Sequence, residues 1–199
     1  MASLAKPAWV AVFAGGVVIG LILAGLWPQT PLHAVATDRQ ENFLMATGWV
    51  DEGVEAVYLL DATSGALRAK VLSNQRKGFQ AHYEANVGQD LAALVNMLNA
   101  RIRQANAAAP PGTPPQPEIQ IPQTPNYMMV TGVADIRRGA AARAWPSTAV
   151  IYVAETNTGI VMCYVMPWNR SAHSSDVPVN GALLFWAGDL LTAPLVKTQ

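Results

Sequence analysis

The chain repeats itself, and that repeat restricts its fold more than any other feature. NFLMATG at Asn42 to Gly48 returns as NYMMVTG at Asn126 to Gly132, and AVYLLDATSGALRAKVL at Ala56 to Leu72 returns as VIYVAETNTGIVMCYVM at Val150 to Met166. The first pair is offset by 84 residues and the second by 94. The extra residues lie within IRRGAAARAWPS, so they form an insertion in a loop between two strands of the second copy. Self-similarity on this scale means that one supersecondary unit is used twice.

Each copy reads as a four-stranded antiparallel meander. In the first, Phe43 to Val50 and Glu55 to Leu60 are joined across Asp51, Glu52 and Gly53. DATSG then forms a hairpin turn, because Asp61 can accept from its own downstream backbone and Gly65 takes the left-handed position. In the next strand Leu67, Ala69 and Val71 alternate with Arg68 and Lys70, the pattern of a half-buried strand. A turn at Arg76, Lys77 and Gly78 leads to a fourth strand, Phe79 to Tyr83. Carried over by the 94-residue offset, the alternation puts Val161, Cys163 and Val165 on the inward row. Met162, Tyr164 and Met166 then form an apolar outward row that something must cover.

The cover expected is an amphipathic helix over Val87 to Gln104. Asn86 and Gln89 form its capping pair, Leu91, Leu94, Val95, Leu98 and Ile102 follow at helical spacing, and Arg101 and Arg103 suit the C-terminal end of the dipole. Docking of a partner or lipid on that stripe is the alternative. From Ala107 to Pro125 seven of nineteen residues are proline and only Glu118 is charged. Such a stretch is an extended linker or exposed loop, or else a polyproline ligand for another module. Two isolated four-stranded sheets would be marginal, so the copies are expected to pack as one domain.

Pro7 to Trp27 reads PAWVAVFAGGVVIGLILAGLW, with no charge between Lys6 and Asp38. About 20 apolar residues cross a hydrocarbon core of about 30 Å as a helix, the conformation that satisfies its own backbone there. Trp9 and Trp27 bracket the run as interfacial indoles, and Pro28 and Pro31 end it. Lys6 on one side against Arg39 on the other puts the N-terminus in the cytoplasm and the domain outside, in the periplasm or extracellular space. Ala34 and Ala36 in AVA resemble a signal-peptidase site, but the run is longer than a usual signal core and AVA lies beyond its end, which favours a retained anchor. Gly16, Gly20 and Ala24 recur every four residues and form a candidate helix-dimer seam.

The expected fold is therefore α+β and mainly β. An anchor at 1–36 precedes the first β repeat and amphipathic helix at 37–104. A Pro-rich linker at 105–125 leads to the second β repeat at 126–199.

VYLLDATSGALRAKV resembles part of a blade of the quinoprotein-type β-propellers, whose blades often read VYALDA, any residue, TGK, two residues, then Trp. Asp61 and Gly65 match with Ser64 in place of Thr, and Thr158 and Gly159 match with Glu155 in place of Asp. Ala69 and Cys163 stand where that family has its Trp. The resemblance implies blade-like sheets; no cofactor residue carries over, so no quinone is implied. The whole layout resembles short, uncharacterised membrane-anchored bacterial proteins.

Chemistry is sparse. Thirteen basic and thirteen acidic residues cancel, so no global field attracts nucleic acid. Cys163 is the only cysteine, which rules out an intramolecular disulfide and any multi-cysteine metal site. His33, His82 and His173 share no ligand spacing. RSAHSSD supplies Ser171, His173 and Asp176 within a few residues, a spacing expected of a solvated loop rather than a triad. Arg137, Arg138 and Arg143 beside Trp145 form the one concentrated basic feature, an anion or partner contact or simply a solvated loop. These features point to a non-enzymatic, membrane-anchored protein that binds another protein or forms a homo-oligomer at the bilayer. A ligand-binding or quinoprotein-like accessory comes second and a secreted hydrolase third.

Overall fold

The computed structural model describes residues 13–17, 37–136 and 145–191. The chain divides into two units, Met1–Ala34 and Val35–Gln199, and the fold below is that of the second. Among the described residues no helix is long and apolar enough to cross a membrane. The apolar run expected to do so lies largely outside them.

Among the described residues, ten strands form two sheets. The first is ordered β1 (Thr37–Gln40), β2 (Phe43–Asp51), β3 (Val54–Asp61), β4 (Ala66–Leu72), β5 (Phe79–Asn86) and β9 (Val179–Ala182). Strands β1 to β5 are antiparallel neighbours, and β9 joins β5 in parallel. The second sheet is antiparallel, in the order β10 (Leu184–Leu190), β8 (Ile160–Trp168), β7 (Trp145–Glu155) and β6 (Tyr127–Val133). It departs from the expected simple meander. Between β8 and its edge neighbour β10 the chain detours through a short helix, Arg170–Ser174, and through β9 in the other sheet.

The two matching stretches take up the same local geometry. Phe43 pairs with Asp61 in the first sheet and Tyr127 with Glu155 in the second. Asp61 accepts from Thr63 N, Ser64 N and the Ser64 hydroxyl; Glu155 accepts from Asn157 N, Thr158 N and the Thr158 hydroxyl. Gly65 and Gly159 close the two turns at φ +69° and +73°. Pro146 and Pro167, which cannot donate to a ladder, face each other near the strand ends, beside the irregularity between Pro146 and Val150.

Helix α1 (Val87–Ala108) starts as expected, with Asn86 accepting from Gln89 N at 3.0 Å, and buries Leu91, Leu94, Val95 and Leu98. It runs past the expected end at Gln104, so its last turn carries no basic residue. Arg103 instead pairs with Glu118 at 3.0 Å. The Pro-rich segment is neither free linker nor exposed throughout. It returns along α1, where Asn99 accepts from Ile119 N at 2.7 Å and donates to Ile119 O at 2.9 Å, and Ile119 is buried. Asn106 makes a similar pair with Gln116.

One core joins both sheets and α1. The first sheet contributes Leu44, Tyr58, Leu60, Leu67 and Val71, as its alternation predicts. In the second sheet the expected rows are reversed. Ile160, Met162, Tyr164 and Met166 face this core, and the Tyr164 hydroxyl donates to Asp90 of α1 at 2.9 Å. Cys163 is buried, but with Val150 and Val165 in a smaller cluster on the opposite face, covered by Ala134, Ile136 and Leu184. The 94-residue offset carries the alternation but not the direction of the core. In the second sheet both rows are apolar, so packing decides which one turns inward.

Candidate interaction surface

The sheets meet where β2 approaches β6 and β7. The Thr131 hydroxyl donates to the Thr47 carbonyl, and Thr148 Oγ1 lies 3.3 Å from Val50 O. Gly48 makes the approach possible. A Cβ there would lie 3.1 Å from Tyr58 Cε2 and 3.2 Å from Thr131 Cβ, so a side chain fits only if these neighbours give by a few tenths of an ångström. At the C-terminal end of β2, Asp51 accepts from Trp168 Nε1 at 2.9 Å and from Arg170 Nε at 2.7 Å, tying the β2–β3 turn to the end of β8. The Arg170 guanidinium first, with help from the Trp168 indole and opposed by burial, holds the Asp51 carboxyl below its ordinary range.

Two outward faces remain. On the second sheet Met128, Val130 and Tyr152 are 57%, 48% and 37% exposed. With Ala154, Val161 and Leu191 they line an open, almost wholly apolar depression of about 400 Å³. Strands apolar on both faces are usually covered on both, and a contiguous exposed apolar patch marks a contact surface. The outward face of the first sheet is mixed. Phe43, Met45, Leu72 and Phe79 are exposed there, together with Arg68, which pairs with Glu84, and Lys70, which sits 5.6 Å over the Phe79 ring. A second depression of about 540 Å³ on that side is lined by Val57, Lys70, Leu72, Phe79 and His173.

Of the expected site residues, Gly16 and Trp145 lie within the described structure. Gly16 lies in a short, exposed helical stretch over residues 13–17, while Gly20 and Ala24 lie outside the described residues. Arg137, Arg138 and Arg143 also lie outside them, and Trp145 opens β7 with its backbone opposite Trp168. No group of three His, Cys, Asp or Glu that could hold a metal occurs among the described residues.

RSAHSSD is not the solvated loop expected. It forms a short helix, α2 (Arg170–Ser174), whose His173 is buried. Gln80 Nε2 donates to the carbonyls of Ala172 and Val177, which leaves Gln80 Oε1 to accept from His173 Nδ1 at 2.7 Å. Ser171 donates to Asn169, and Asp176 accepts from Ser73 and pairs with Arg76. The three residues are thus committed to three different partners. Sequence reasoning passed over Met128, Val130 and Tyr152, although the unbroken apolar runs YMMV and VIYVA carry the signal of strands covered on both faces.

Compared with protein-family models, curated proteins and solved structures, the chain matches none.

Proposed function

We propose that this is a non-catalytic protein-interaction or scaffolding subunit, held at a membrane by its apolar N-terminal segment with the β domain on the far side from the cytoplasm. The observation that carries the interaction is the apolar outward face of β6 and β7, centred on Val130. The tether rests on the uncharged run from Pro7 to Trp27. In this reading the two sheets are copies of one duplicated unit, supported by the shared turn chemistry of Asp61 and Glu155 and by the matching registers.

A photo-crosslinking residue in place of Val130, in the full chain in its native membrane, is expected to give a covalent adduct with a protein. The same residue in place of Glu52, whose side chain is 89% exposed, is expected to give none. Absence of any protein adduct at Val130 overturns the reading. Resistance of the chain to alkaline extraction tests the tether, and a mature protein beginning at Thr37 refutes it.

The small-ligand reading draws on the depression beside His173 and Lys70 and on the blade-like turn. An absorbing or redox-active cofactor in purified protein would favour it.

A further inference from the structure

The outward face of the second sheet matches, position by position, the face with which the first sheet meets the core. Met128, Val130, Gly132, Tyr152 and Val161 stand where Leu44, Ala46, Gly48, Tyr58 and Leu67 stand in the first sheet. Those five first-sheet residues are all buried, whereas Met128, Val130 and Tyr152 are exposed. The converse holds on the other side. Outward Phe43, Met45, Thr47 and Val57 occupy the positions of Tyr127, Met129, Thr131 and Ile151, which pack toward the core or the sheet contact. The sheets therefore meet through unlike faces, and each exposes the face the other has used.

We propose that a second copy of this chain docks on the outward face of β6 and β7 with the outward face of its own β2 and β3, so that copies add head to tail. This rests on the interaction reading above and names the partner.

The internal contact provides the template. Gly48 leaves the gap beside Tyr58 that admits Thr131. Gly132 repeats that gap beside Tyr152, since a Cβ there would lie 3.2 Å from Tyr152 Cε2. Thr47 of the incoming copy is the counterpart of Thr131, and its hydroxyl takes the Thr131 carbonyl as Thr131 takes that of Thr47.

Charge placement agrees along β2. Inside the molecule β6 and β7 meet the first sheet directly, while farther out Tyr164 of β8 meets α1 through Asp90. The counterparts on the first sheet keep this division. Phe43, Met45 and Thr47 on β2 and Val57 on β3 are uncharged, with Glu55 beside Val57 on the same face, and on β4 Arg68 and Lys70 replace Met162 and Tyr164. A contact between unlike faces is heterologous, so repeated addition gives a ring where the rotation closes and a filament where it does not.

The test uses two differently tagged full-length chains co-expressed in one membrane. One carries Val130→Cys, the other Met45→Cys, and a short bismaleimide is added; buried Cys163 sets the background. The expected product carries both tags, and Val130→Cys paired with itself gives none. Adding Met128→Glu to the Val130→Cys chain lowers the mixed product about tenfold, the yield change expected for about 1.4 kcal/mol of lost affinity. Association through the N-terminal segment alone does not form this face-specific product. A Val130–Val130 product, or no mixed product, overturns the proposal. If the photo-crosslinker at Val130 then captures a different protein, the interaction reading survives; if it captures none, both fall.

Discussion

Tyr58 and Tyr152 occupy the same place in the two matching stretches and meet opposite conditions. Tyr152 is partly exposed, whereas Tyr58 is buried beneath the second sheet and its hydroxyl has no hydrogen-bond partner among the described residues. Burial, and the nearby Glu55, push its ionisation far above the ordinary range. A buried hydroxyl without a partner loses its hydration for nothing in return. Tyr58→Phe is therefore expected to leave stability unchanged or raise it by up to about 1 kcal/mol in urea titration; a loss of that size would show that the hydroxyl is bonded in solution. Glu155 is the opposite case. Burial pushes its carboxyl up, but Asn126 N, the Thr158 hydroxyl, and Asn157 N and Thr158 N together bring it below its ordinary 4.5. A lowered value means the folded state favours the ionised form. Its contribution is complete above about pH 4.5 and is lost as pH falls through the folded value. Glu155→Gln should then lose less stability than the parent on acidification from about pH 5 to pH 3; identical acid limbs would refute the assignment.

At the scale of elements, the turns and caps show why the first half was readable from sequence. The DATSG turn needs an acceptor at Asp61 and a left-handed residue at Gly65. Both lie within five residues of each other, so the signal is local. Gly65 also sits against the start of α1, where an added Cβ would meet Gly88 N at 2.9 Å. Gly65→Ala should cost at least about 1–2 kcal/mol from the left-handed backbone alone, measured as a fall in the denaturation midpoint; Gly53→Ala, with φ +67° but open space around it, should cost less.

What the sequence concealed is non-local. The parallel pairing of β9 with β5 joins residues almost a hundred positions apart, and no turn signal records it. The inversion of faces in the second sheet was hidden because YMMV and IVMCYVM are apolar in both rows, and alternation has nothing to report when the rows are alike. Burial of His173 depends on Gln80 from a distant strand. The Pro-rich segment reads as linker by composition, yet Asn99 fixes it through both polar groups of Ile119. Asn99→Ala strands that N–H and C=O and should cost about 1–3 kcal/mol, with faster proteolysis between Pro110 and Pro125 as the readout. Unchanged proteolysis would mean the proline-rich strap is held elsewhere.

At the scale of the whole molecule, the second sheet meets the first where β6 and β7 bond β2 and meets α1 where Tyr164 bonds Asp90, so a few long-range bonds set how the two halves meet. Asp51 is the clearest of them. It terminates β2 and receives the Trp168 indole from the end of β8, while the Arg170 guanidinium comes from the helix that follows. Trp168 is 8% exposed, so removing its acceptor leaves a buried indole N–H unpaired. Asp51→Ala should cost about 1–3 kcal/mol for that group. Asp51→Asn keeps an acceptor for the indole but gives up the charge facing Arg170, and should fall between. The loss should also be localised. Amide exchange is expected to rise at the end of β8 and through α2, while the β3–β4 hairpin, held by its own ladder and by the DATSG turn, keeps its protection. Because the Asp51 carboxyl is held below its usual range, its stabilisation is present above the ordinary carboxylate value and fades as pH falls through the folded one. Exchange in β8 and α2 of the parent protein should then rise on acidification ahead of exchange in the hairpin, and in Asp51→Ala it should already be raised at neutral pH and change less. Uniform loss of protection across both sheets would show instead that Asp51 supports the whole domain and that the two halves do not part at this contact.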